Sequence, residues 1–146
     1  MKRQRAAHRL PYTAEQMFDL AADIERYPEF LPHWPRATIQ RREGNVLHVL
    51  QEIDLGIRQL RFESRAVLER PAHLQITSQA APFRRMQVEW QFTPDGQGSV
   101  TTVTIEIEMQ SPLMEVVAGE LIGLMMHDVF DRFQRRAAAL YAAAPG

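Results

Sequence analysis

The chain contains no cysteine, which excludes disulfides, thiolate nucleophiles and cysteine-built zinc sites, and fits a reducing compartment. Charge imbalance is also missing. The formal net charge of −1 leaves no overall basic footprint for a nucleic-acid partner, so DNA is not expected, although a local basic patch remains open. No window approaches the run of about 18 apolar residues that would span a bilayer. Lys2, Arg3 and Arg5 are followed by Pro11 rather than an apolar stretch, so no secretory signal is expected. The expected state is soluble and cytoplasmic, or peripheral to the inner membrane. Glycine-rich phosphate loops, a GxSxG elbow, a Rossmann fingerprint and HExxH are absent. His8, His33, His48, His73 and His127 never stand four apart, so neither a metal nor a cofactor is called for and no catalytic set emerges.

What is present divides into short helices, β-type segments and one long apolar helix. With 146 residues the chain is read as one domain, 1–146, able to bury a core. Gln4–Leu10 reads as a strand. Thr13 with Gln16 forms a capping box for a helix whose apolar face carries Met17, Leu20, Ala21 and Ile24. Pro28 disfavours a helical Tyr27, so the helix is expected to break there and restart briefly through Phe30. Strands follow over Ala37–Arg42, Val46–Leu55, Ile57–Glu69, Leu74–Ser78, Met86–Phe92 and Thr102–Met109. In the third, Leu47, Val49, Gln51 and Ile53 share a face. Ser111 and Pro112 then open a helix of about 30 residues, about 45 Å long. The order β-αα-β-β-β-β-β-β-α gives an α+β fold with a seven-stranded antiparallel sheet curved around a long C-terminal helix.

That helix is apolar over most of its circumference between Leu113 and Met126, whereas packing on a sheet needs only one stripe. The surplus, which includes Val116, Val117, Leu121, Ile122, Leu124, Met125 and Met126, faces either a sheet that wraps far around it or a cavity, a partner or a lipid surface. Met86, Val88, Trp90, Phe92, Val103, Ile105, Ile107 and Met109 would line the concave side of the sheet. Phe30-Leu31-Pro32-His33-Trp34-Pro35 is a stiff aromatic loop that either forms a cavity lip able to touch a membrane interface or caps the sheet end. Arg58, Arg61 and Arg65 either hold a polar group inside the cavity or make pairs outside. Arg132, Arg135 and Arg136 suit the helix C-terminus, and with Arg84 and Arg85 could form a basic face for RNA.

At Tyr12–Pro32 the wording PYTAEQMFDLAADIERYPEFLP resembles the signature of the coenzyme Q-binding START-domain proteins, which include ribosome-association toxin relatives. The similarity continues through Phe62–Leu68, Trp90-Gln91-Phe92 and Phe133–Ala137. It departs after Leu31-Pro32, where the family shows a small residue or Trp and then Cys, while this chain has His33-Trp34. The resemblance implies the helix-grip fold around a hydrophobic tunnel and a non-enzymatic carrier of ubiquinone or a similar polyisoprenoid quinone, held as ligand rather than cofactor and supporting respiration. It places Phe30, the Leu31-Pro32 loop and the apolar face of Pro112–Phe130 at the tunnel. Combined with the strand pattern, the expected ligand-binding set is Phe30, Leu31, Trp34, Arg61, Met86, Val88, Trp90, Ile105, Val117, Leu121, Leu124 and Met125. Arg61, His33 or Trp34 would supply donors to the quinone carbonyls. Two other functions stay open: a ribosome-binding factor that blocks subunit association, and a polyketide aromatase or cyclase working through a shaped cavity.

Overall fold

Alternation of apolar and polar residues over seven segments produces the sheet that organises the molecule. The computed structural model describes residues 1–141. Strand β1 (Lys2–Leu10) is followed by α1 (Ala14–Ala22) and a 3-10 helix (Ile24–Glu29). Strands β2 (Arg36–Glu43), β3 (Val46–Asp54), β4 (Gln59–Glu69), β5 (His73–Ser78), β6 (Phe83–Asp95) and β7 (Gly98–Met109) come next. All neighbours pair antiparallel in the order β1-β7-β6-β5-β4-β3-β2, so β1 closes onto the last strand and the two short helices bridge the ends of the curve. The architecture is the expected helix-grip fold.

Local chemistry sets the boundaries. Thr13 Oγ1 accepts from the Gln16 amide at 3.1 Å and Gln16 Oε1 accepts from the Thr13 amide at 2.9 Å, so two otherwise orphaned donors are satisfied at the start of α1. The break after α1 falls at Asp23, earlier than the expected Tyr27-Pro28 step. Asp23 leaves helical geometry with ψ 63°, and Pro28 is accommodated inside the 3-10 helix that follows. Gly98 sits where β1 crosses the start of β7, and a Cβ there would collide with the Leu10 carbonyl oxygen. Ser99 Oγ donates to the Tyr12 carbonyl beside it at 2.8 Å.

The C-terminal helix is continuous but not uniform. A short 3-10 turn (Pro112–Met114) leads into α2 (Glu115–Gly123), a π-helical segment (Leu124–Val129) and α3 (Phe130–Leu140). Backbone angles at the junction residues Gly123, Leu124, Val129 and Phe130 are all right-handed helical, so the π segment widens the helix without breaking it. Its inward face, Val117, Ala118, Leu121, Ile122, Val129, Phe130, Phe133 and Ala137, is buried against the sheet. The sheet contributes Leu47, Val49, Ile53, Phe62, Leu74, Val88, Trp90, Val103, Ile105 and Ile107 to the same core. No helix is long and apolar enough to cross a membrane among the described residues.

The candidate ligand cavity

Between the concave face and the helix lies a cavity of about 50 Å³. Its walls are sheet residues such as Ile53, Phe62, Met86, Val88, Trp90 and Ile105, loop residues Leu31 and Trp34, and helix residues Leu121, Met125, Val129 and Phe133. The aromatic part of the wall is interlocked. Phe62 meets Phe83 edge-on at 5.0 Å, Trp90 lies 5.0 Å from Phe133, and Tyr27 packs edge-on to Phe133 at 5.5 Å.

Trp34 reaches the cavity because the loop that carries it is pinned to the end of β3. The Asp54 amide donates to the His33 carbonyl at 2.8 Å, and His33 Nδ1 lies 3.0 Å from the Asp54 carbonyl oxygen. With His33 held outward, Trp34 turns in and is buried. Its indole Nε1 donates to Gln51 Oε1 at 2.9 Å, Gln51 Nε2 donates to Ser64 Oγ at 2.9 Å, and Ser64 Oγ bonds toward the Val49 carbonyl at 3.5 Å. This short polar chain is embedded in an otherwise apolar wall.

Tyr27 is the one ionisable residue on the wall. Its hydroxyl donates to the Ala21 carbonyl. Burial, with a smaller contribution from Asp23, pushes its pKa upward, so the phenol stays neutral across the physiological range. Among the described residues no cluster of three or more His, Cys, Asp or Glu could hold a metal.

Eight of the twelve residues expected at the ligand site stand on this wall: Leu31, Trp34, Met86, Val88, Trp90, Ile105, Leu121 and Met125. Four do not. Arg61 is exposed on the outer face, because its neighbours Leu60 and Phe62 take the inward positions of β4 and the period of two turns Arg61 away. Phe30 is partly buried outside the cavity, edge-on to Phe133 at 5.1 Å and beneath the Arg136 guanidinium. Val117 is buried but lies off the cavity wall, and Leu124 packs half-buried at the start of the π segment. Of the two readings of the Phe30–Trp34 loop, an aromatic lip or a cap on the sheet end, burial of Trp34 disfavours an exposed lip at that residue. Neither Arg61 nor the Trp34 indole is free to serve the cavity as a donor. The sequence reading missed Gln51 as a functional group, although alternation along β3 already put it on the inward face.

Exposed apolar side chains gather instead near the β3–β4 turn and the helix start. Ile57, Leu113 and Val116 are 95%, 89% and 70% exposed. Arg58, Arg61, Pro82 and Met114 line one shallow groove, which joins the turn to the helix start. Met114 stands seven residues, two turns, before Leu121 on the cavity wall.

The basic face expected from Arg84, Arg85, Arg132, Arg135 and Arg136 is neutralised. These side chains pair with Glu108, Glu106, Asp128, Asp131 and Glu29 respectively. Two of those pairs are i,i+4 partners on the helix itself.

The sequence that folds into this curved seven-stranded sheet matches, over residues 10–134, a family model described as polyketide cyclase / dehydrase and lipid transport. The chain belongs to that family. Its relatives include a ribosome association toxin RatA from Pseudomonas aeruginosa, 30% identical over 133 residues, covering 90% of this chain and 92% of the relative. A mitochondrial coenzyme Q-binding protein COQ10 from Dictyostelium discoideum is 23% identical over 141 residues, covering 92% and 68%. A START superfamily protein from Mycobacterium smegmatis shares the fold with a TM-score of 0.82 at 14% identity, covering 94% of this chain and 98% of that one. In this chain the cavity wall carries a polar chain at Trp34, Gln51 and Ser64.

Proposed function

We propose that this chain is a non-enzymatic binding protein for an apolar, ring-headed lipid of the polyisoprenoid quinone class. The observation that carries the reading is the cavity itself, apolar on nearly every side and walled by both tryptophans of the sequence. Burial of a few hundred Å² of isoprenoid surface at about 25 cal/mol per Å² supplies ample driving force before ordering costs. Catalysis finds little support in the wall, where the single ionisable group is a neutral phenol already bonded to a backbone carbonyl. This favours a carrier over the cyclase that the family description also covers.

At about 50 Å³ the cavity is too small for a quinone ring, so uptake requires its wall to open. The helix side is the part suited to yield. Met125 is unbranched and adaptable, and it stands in the π segment, an irregularity frequent at functional sites. Lipid would enter from a membrane surface contacted by Ile57, Leu113 and Val116, with Arg58 and Arg61 beside them for anionic head groups. The deciding experiment is titration with a short-chain ubiquinone followed by tryptophan emission, because Trp34 and Trp90 both line the cavity. Saturable quenching at one-to-one stoichiometry supports the reading, and unchanged emission with no lipid recovered by extraction overturns it.

A second reading, ribosome association, rests on the 30% identical relative and on the outer face of the sheet. Arg36 and Arg61 flank Glu52 in register across β2, β3 and β4, and Arg65 follows opposite His48. Arg36, Arg58, Arg61 and Arg65 make no ion pair within 4 Å among the described residues, unlike the neutralised arginines of the helix. Guanidinium groups in a row suit phosphate recognition. Co-sedimentation with ribosomal subunits that weakens steeply with salt supports this reading. No co-sedimentation at low salt overturns it.

A further inference from the structure

The polar chain in the cavity wall has a fixed direction. An indole N–H can only donate, so the Gln51 carbonyl oxygen must face Trp34 and its amide nitrogen must face Ser64. The Ser64 hydroxyl, accepting from Gln51, sends its own proton toward the Val49 carbonyl. Each member is therefore oriented by its neighbour, with no ambiguity over which end of the Gln51 amide is which.

This arrangement leaves Gln51 with unused capacity. Its NH2 group has two protons and its oxygen two lone pairs, and the chain uses one of each. The other side-chain protons on polar wall groups are spent: the Trp34 indole on Gln51 and the Tyr27 hydroxyl on the Ala21 carbonyl. Gln51 is 4% exposed, so water does not reach its second N–H freely, and an unpaired amide proton in an apolar wall costs free energy. Within the chain Gln51 satisfies the buried Trp34 indole, a structural task that uses one lone pair and one proton and leaves the second proton over. A recognition group needs this combination of rigid orientation and one open donor.

We propose that Gln51 reads the head group of the cavity's ligand by donating its second Nε2–H to a ring carbonyl, so that the cavity selects carbonyl-bearing apolar molecules over hydrocarbons of the same shape. The inference rests on the reading of the cavity as a ligand site. Trp34 and Ser64 are positioning residues in this scheme, because they hold the amide plane and do not touch the carbonyl.

The test compares two probes, 2-hexyl-1,4-benzoquinone and 2-hexyl-1,4-dimethylbenzene, in which methyl groups stand in for the two carbonyl oxygens. The chain has no cysteine to add to the quinone. Because two carbonyls cost more to desolvate than two methyl groups, the readout is the change between proteins and not the raw preference. The variant is made in a Trp34→Phe background, where Gln51→Met, which keeps the side-chain length, frees no indole proton to take the amide's place. Calorimetric titration should show quinone affinity about tenfold lower with Gln51→Met than without it, the factor expected of one net hydrogen bond, while hydrocarbon affinity does not fall. Infrared difference spectra should show one quinone carbonyl stretch lowered on binding to the unaltered protein and not to the Gln51→Met variant. If the variant does not fold, the infrared shift on the unaltered protein still decides. Quinone affinity unchanged by the substitution, or binding to the unaltered protein with no carbonyl shift, overturns the role of Gln51 while leaving the cavity reading intact. Failure of both probes to bind overturns the cavity reading, and this proposal with it.

Discussion

Arg136 Nη2 lies 2.7 Å from Glu29 Oε1, joining the last helix to the 3-10 helix 107 residues earlier in the chain. The same guanidinium stands 5.1 Å over the Phe30 ring. The hydrogen bond from Arg136 is the largest cause holding the Glu29 carboxyl below the usual carboxylate range, and Arg26 adds to it. A carboxyl whose folded pKa is depressed contributes stability above its unfolded value of about 4.3 and loses it as pH falls through the folded value.

The expected consequence is a specific acid sensitivity. Thermal midpoints of the unaltered protein should fall more steeply than those of Glu29→Gln between about pH 5 and about pH 3. At neutral pH the variant should melt slightly lower, since Glu29 is solvent-facing and its pair is screened. Parallel melting curves for the two proteins across that window would refute the linkage.

Gly98 permits a backbone approach to the Leu10 carbonyl that leaves no room for a Cβ. Gly98→Ala should therefore destabilise by about 1–3 kcal/mol or more through overpacking, and urea midpoints measure it. Gly123→Ala, where a Cβ meets open space, is the matched control and should be neutral or mildly stabilising.

Leu121 stands on the cavity wall and is buried. Leu121→Phe should fill the remaining space, cost about 1–3 kcal/mol in stability and lower quinone affinity at least tenfold. Native mass spectrometry with added quinone reads the second effect, and calorimetric unfolding the first.

Ile57 and Leu113 project into solvent from the turn and the helix start. The pair Ile57→Asp and Leu113→Asp should reduce co-sedimentation with vesicles containing phosphatidylserine by an order of magnitude. Stability should stay within about 0.5 kcal/mol and quinone affinity in solution should be unchanged. Undiminished vesicle binding would remove this surface as the lipid entry point.

Much of the fold is written locally. The Thr13–Gln16 box, the alternation of β3 and the turn at Gly96 each depend on residues a few positions apart. The outward turn of Arg61 was legible too, since Leu60 and Phe62 set its parity, and Asp128 and Asp131 stand one helical turn before the arginines they neutralise. What could not be read is what register brings together. Trp34 and Ser64 lie 17 and 13 residues from Gln51, and only strand pairing with a pinned loop turns three unrelated polar residues into one chain. Nothing in the composition of Leu124–Val129 announces a π turn either, because such a turn has no residue signature of its own.

That widened turn lets α2 and α3 be phased separately. A π bulge amounts to one residue inserted into an α-helix, and one residue is about 100° of rotation. Upstream, Val117 and Leu121 are clocked inward and buried; downstream, Phe130 is clocked to Trp90 and Phe133 to Tyr27 and Phe30. Excision of a single residue between Leu124 and Val129 would restore a regular spiral and swing Phe133 out of the aromatic cluster. The helix thus behaves as two cogs on one shaft, and the spare tooth between them keeps both engaged.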